Sequence, residues 1–133
     1  MPLFSRIAIR LALLHLIVGA FLGASLLAGK AYGFAYWKTL LPHVEIMLYG
    51  WVFQLILGVS YWILPRNSSP PFRGNVVFAW LSLLFLNCGV VASFARSTAL
   101  LPVWMPPLFE VVAFVFYARV VFPRIRPFLA SHD

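Results

Sequence analysis

The chain has 133 residues, 63% of them hydrophobic and only 10% charged. A soluble domain carries about 25% charged residues, so this composition excludes a water-covered globule and points to one integral membrane domain, residues 1–133. The formal charge of +7 comes from ten Lys and Arg against three acids, and the basic residues lie between apolar runs, where they set membrane orientation; nucleic acid is not an expected partner.

A helix that crosses a bilayer needs about 20 mostly apolar residues. The first such run covers about 7–29. Its basic start resembles a signal peptide, but the apolar run is longer than the roughly 7–15 residues of a signal h-region. It also contains His15 and the pair Gly19 and Gly23 in GxxxG spacing, a pattern of helix packing, so a retained helix is expected. The segment AYGFAYWKT follows, and Tyr32, Phe34, Tyr36 and Trp37 read as an interfacial aromatic belt.

The second run, about 41–64, opens with His43 and Glu45. Counted at helical spacing from His43, the residues Met47, Gly50, Gln54, Gly58 and Tyr61 come up on roughly one side. The glycines of that stripe would let a flat group or another backbone approach closely. Glu45 points away from His43 and stacks over Tyr49. PRNSSPPFRG then reads as a turn.

The third run, about 75–94, carries Asn87, expected to hydrogen-bond between helices, and Cys88, expected to be a small core residue. One cysteine allows no disulfide framework and no CxxCH attachment of c-type haem. The fourth run, about 103–122, carries Glu110 with no local partner; a partly ordered tail, 123–133, ends the chain.

The fold class expected is all-α: a polytopic membrane four-helix bundle, since backbone groups in lipid must be satisfied within helices and short connections make neighbours antiparallel. With the N-terminus inside, Arg6, Arg10, Arg66, Arg73, Arg119, Arg124 and Arg126 lie inside and Lys30, Lys38 and Arg96 outside. That bias places both termini in the cytoplasm.

Polar and ionisable groups at membrane depth are costly and face protein or a polar cavity. His43, Glu45, Glu110, Asn87 and His15 are the candidates; each also has a structural reading as an interfacial hydrogen-bonding or packing residue. His15 and His43 differ in height by roughly 15 Å on helix rise and bilayer thickness, so the two do not share one iron.

The stretch from His43 to Arg66 resembles the second helix of haem–copper oxidase subunit I, closest to the nitric oxide reductase and C-type oxidase branch. The matching residues are His43, Gly50, Trp51, Gly58, Tyr61, Trp62, Pro65 and Arg66. The whole chain is similar to short four-helix bacterial proteins labelled subunit I-like, through Leu86, Asn87 and Gly89, then Leu108, Glu110, Pro123 and Arg124. The resemblance implies a bacterial inner (cytoplasmic) membrane location and b-type haem held by His43, with Met47, Gly50 and Gln54 along the cofactor side. It implies a role in respiratory electron transfer or as an accessory subunit. The second axial ligand would come from other membrane subunits or from His43 of a second copy, since a two-fold axis along the membrane normal sets both at one height.

The chain also departs from that family's pattern. Only three histidines are present, with His132 in the tail, and the position where some relatives have a second histidine is Glu45. Complete oxidase chemistry by this chain alone is not expected. Two other readings stay open: a scaffold, assembly or sensing protein without haem, and a proton-conducting module using Glu45, Glu110 and Gln54. The inner half offers that module little beyond His15, Tyr61 and Tyr117.

Overall fold

The computed structural model describes residues 1–29, 34–67, 70–98 and 100–129, without the side chains of 34, 35 and 126–129. All regular structure in these residues is helical: α1 (Leu3–Leu27), α2 (Phe34–Glu45), a π-helical segment (Ile46–Phe53), α3 (Gln54–Ile63), α4 (Val76–Ser97) and α5 (Met105–Leu129). α2, the π segment and α3 are continuous and form one long helix. Four helices are thus long and apolar enough to cross a membrane: Leu3–Leu27, Tyr36–Ile63, Val76–Ser97 and Met105–Ile125.

These helices are longer than the apolar windows that flag them. Backbone hydrogen bonds do not stop where hydropathy does. Pro2 sits at the N-cap of α1 in an extended conformation and its carbonyl accepts from Arg6 at 3.2 Å, which starts that helix at Leu3 instead of 7. The second helix begins at Phe34, not 41, and runs through Pro42. Pro42 has no N–H to give the helix, and four residues on the backbone changes to π geometry. The fourth long helix was expected to end at 122 before a loose tail; α5 continues through Pro123 to Leu129, and residues 130–133, with His132, lie outside the described residues.

Neighbours alternate in direction. His15 meets Gly50 and His43 meets Gly19, so α1 and the second helix are antiparallel. Phe78 and Phe85 both stack on Phe116, and Phe85 also meets Phe109, which fixes α4 against α5. Asn87 reaches Gln54 and Arg96 reaches Glu45, which closes the bundle. The turn into α4 uses Gly74 at φ +77, and Asn75 caps the helix by accepting from the Val77 N–H at 2.9 Å.

Packing follows membrane rules. Ala8, Ala79 and Ala113 are fully buried and let backbones approach, with Phe4, Leu57, Tyr61, Leu83, Tyr117 and Val120 filling between them. Ser25, Ser60, Ser82, Ser93 and Ser97 each hydrogen-bond a carbonyl one turn back in their own helix. The outside is apolar: Ile17 is 68% exposed, Phe21 72% and Val91 67%, a surface suited to hydrocarbon and not to water. Cys88, expected in the core, is exposed. The buried face of α4 runs through Leu83, Leu86, Gly89 and Val90, and position 88 falls on its back.

Candidate functional site

Where α1 crosses the second helix, two histidines are set in reciprocal fashion. His43 donates from Nδ1 to the Gly19 carbonyl at 2.9 Å, and His15 donates from Nδ1 to the Gly50 carbonyl at 3.0 Å. A carbonyl only accepts, so each bond places the proton on Nδ1 and leaves Nε2 of a neutral ring with its lone pair. That is the tautomer of a metal-binding histidine oriented by a backbone carbonyl.

Glycines make room for both rings. A Cβ at Gly23 would lie 2.8 Å from His43 Cε1, and one at Gly50 would lie 2.8 Å from His15 Cγ. The Met47 sulfur packs on Gly19, where a Cβ would come within 2.5 Å. The Gly19 and Gly23 pair therefore receives side chains and not a second backbone. Gly58 faces Ala8 and Ile9 of α1, with a Cβ 3.1 Å from each side chain, so here the helices themselves approach.

The stripe read at helical spacing from His43 thus faces α1 along its length. Gln54, fully buried, donates to the Ala8 carbonyl at 3.3 Å and accepts from Asn87 at 3.0 Å, which ties three helices together. Asn87 also donates to the Leu83 carbonyl at 2.7 Å. Tyr61 packs on Phe4 with ring centroids 4.7 Å apart. Seven residues separate the level of His43 from that of Gly50, where His15 sits, which is roughly 10 Å of rise. The two rings stay on separate levels.

His43 is half-buried and lines an open groove of about 540 Å³ between α1 and α2, with Ala20, Gly23, Ala24, Tyr36 and Leu40. Of the expected aromatic belt, Tyr36 and Trp37 are exposed on α2, whereas Tyr32 and the Phe34 side chain lie outside the described residues, as does Lys30.

The acids gather on the opposite side of the second helix. Glu45 accepts from Arg96 of α4 at 2.9 Å. It does not simply stack on Tyr49, because α4 delivers a cation to its carboxylate. Glu110 of α5 is only 2% exposed and lies against Glu45 and Tyr49. Glu110 Oε1 and Glu45 Oε2 are both buried without a hydrogen-bond partner. Gly89 gives Glu110 its space, since a Cβ there would come 2.9 Å from Glu110 Cγ.

Two arginines counted in the sequence as orientation signals, Arg124 also as part of the resemblance, prove structural. Arg96 is the partner of Glu45. Arg124, 2% exposed, donates from Nε to Pro65 O at 2.9 Å and from Nη2 to Tyr61 O at 3.2 Å and Leu64 O at 2.5 Å. It caps the last carbonyls of α3 with a cation, and this grip carries α5 past Pro123. Arg96 and Arg124 both lie just past the ends of the apolar runs, at about 94 and 122, where a basic residue reads as an orientation signal.

Among the described residues no group of three or more His, Cys, Asp or Glu side chains could hold a metal ion. No protein-family model, curated protein or solved structure matches the chain.

Proposed function

We propose that this is a multi-pass membrane protein of the bacterial cytoplasmic membrane, with both termini inside, that binds b-type haem through His43 and serves respiratory electron transfer or an accessory role beside it. The observation that carries the reading is the His43 hydrogen bond to Gly19, which commits Nδ1 and leaves Nε2 as the available donor on a ring that borders a groove. The groove has small walls at Ala20, Gly23 and Ala24, and its volume of about 540 Å³ lies in the range of cofactor clefts. These features would suit His43 as a residue holding the haem iron, with the small groove residues leaving room beside it. Haem in such a site would supply one-electron transfer. The chain's own part is to fix the imidazole tautomer through Gly19, to admit the ring over Gly23 and to present an apolar wall. A further ligand would have to come from a partner subunit or from His43 of a second copy.

The test is an optical spectrum of the detergent-purified protein, oxidised and then reduced, with a haemochrome assay. A Soret band with sharp reduced bands is expected, lost in His43→Ala and retained in His15→Ala. Haem-free protein from a haem-replete host would overturn the reading.

One observation favours a second reading, a scaffold or sensing protein without haem. The close-approach positions Gly50 and Gly58 are filled by His15 and by Ala8 and Ile9 of α1. On that reading His43 is a helix-joining hydrogen bond only, and His43→Gln preserves stability and every activity of the parent complex.

A further inference from the structure

At the end of the bundle that carries Arg124, the start of α1, the end of α3 and the start of α4 surround a cavity of about 500 Å³. Its walls are of two kinds. Leu3, Phe4, Val76 and Trp80 make an apolar side, and Arg66 and Arg73 bring two guanidinium groups to the rim. Leu3 and Val76 are about half exposed on the outer surface of the bundle, so the apolar side runs out onto the face that would meet acyl chains.

The charge at this end has no internal answer. Arg73 spends one nitrogen, Nη1, on the Tyr61 and Trp62 carbonyls at 3.5 and 3.4 Å. Arg66 is exposed. A third cation lies just behind the wall: Arg124 sits 5.5 Å over the ring of Tyr61, which itself lines the cavity, and Arg124 Nη1 is buried without a partner. Both acids of the described residues, Glu45 and Glu110, are at the other end with Arg96. Two guanidinium groups therefore line one apolar-walled recess, with a third behind its wall and no carboxylate among the described residues near them.

We propose that this recess binds the headgroup of an anionic phospholipid, its phosphodiester between Arg66 and Arg73 and its acyl chains along Leu3 and Val76. The inference rests on the membrane reading above and is independent of haem. The physical case is charge complementarity at headgroup depth: basic recesses between membrane helices attract anionic lipid, at about 1 kcal/mol per Lys or Arg near the surface. A zwitterionic headgroup brings its own cation into a site that already holds two, with a third behind its wall. A free phosphate lacks the chains that would occupy the apolar side.

The experiment uses the full chain, purified in detergent and depleted of lipid. Binding of phosphatidylglycerol, phosphatidylcholine and soluble glycerol phosphate is measured by native mass spectrometry and by thermal shift. Phosphatidylglycerol is expected to bind and stabilise, and the other two to do so far less. Arg66→Ala and Arg73→Ala should each weaken phosphatidylglycerol binding about fivefold, the factor expected for one arginine. Arg66 is exposed, so that variant is expected to fold whatever Arg73→Ala does. Arg119→Ala, at the same end but off the cavity, should bind as wild type. Equal retention of the two phospholipids would overturn the proposal. So would wild-type affinity in Arg66→Ala, or an equal loss in Arg119→Ala, which would show diffuse attraction. Glycerol phosphate binding as tightly as the lipid would replace the lipid site with a phosphate site. A chain that partitions into water would instead overturn the membrane reading itself.

Discussion

Single side chains decide how this apolar chain carries its few charges. The Glu45–Arg96 pair is about seven-eighths buried on each side. Breaking a buried pair by removing one partner leaves an uncompensated charge and costs about 3 kcal/mol or more. Arg96→Ala is therefore expected to lower the melting temperature of the purified protein sharply, and Glu45→Gln added to it should recover much of the loss. A melting temperature unchanged in Arg96→Ala would show that the pair is solvated. Glu110→Gln should behave differently. Glu110 Oε1 and Glu45 Oε2 both lack partners, and an amide at 110 brings N–H donors beside an orphaned carboxylate oxygen. Stability equal to or above wild type is expected in the same melts, against a clear loss for Gly89→Leu, which would drive a side chain into Glu110. The individual charges were legible in the sequence. Their pairing was not, since Arg96 is 51 positions from Glu45 and joins it only when α4 closes on the second helix.

At the scale of the element, the second helix shows what periodicity can and cannot tell. The stripe from His43 through Met47, Gly50, Gln54 and Gly58 to Tyr61 is a true face of the helix, legible because residues three and four apart share a side. What meets that face was not legible, because a glycine leaves the same space for a ring, a side chain or a backbone. Here Gly50 holds the His15 imidazole, and a Cβ there would come 2.8 Å from Cγ and 2.9 Å from Nδ1. Gly50→Ala should displace the ring, break its bond to the Gly50 carbonyl and cost about 1–3 kcal/mol, as overpacking does. His15→Ala removes the clash, so the double variant should melt above Gly50→Ala alone. Additive losses in that cycle would mean that the two residues do not touch. The helix limits were the least legible feature. The expected runs start beside Pro42, at about 41, and end before Pro123, at about 122, yet α2 passes through the first proline and α5 through the second, where buried Arg124 holds the backbone to the end of α3.

The whole molecule is asymmetric in charge, and that asymmetry predicts how it sits in a bilayer. The helices alternate in direction, as His15 on Gly50, Phe85 on Phe109 and Asn87 on Gln54 require. If all four helices cross, as the proposed membrane reading has it, the alternation returns the chain to the side from which it started and both termini share a side. One end of the bundle gathers Arg6, Arg66, Arg73, Arg119 and Arg124; the other has Lys38 and Arg96. Basic residues flanking apolar helices are retained in the cytoplasm, and although Arg124 is consumed in capping α3, the remaining bias keeps its sign. Fusions should therefore report a cytoplasmic location at both termini: a fluorescent protein at the C-terminus folds and emits, and a periplasmic phosphatase at either terminus stays inactive. The same phosphatase inserted between α4 and α5, around 98–104, should be active. Opposite locations for the two termini would require one of the four helices not to cross, and α1 would be the first suspect because it has the fewest buried residues along its length. The antiparallel seam of His15 on Gly50 and His43 on Gly19 argues against that outcome. A surface-lying α1 would leave both imidazoles and the whole glycine face of the second helix open to lipid, with their hydrogen bonds unmade.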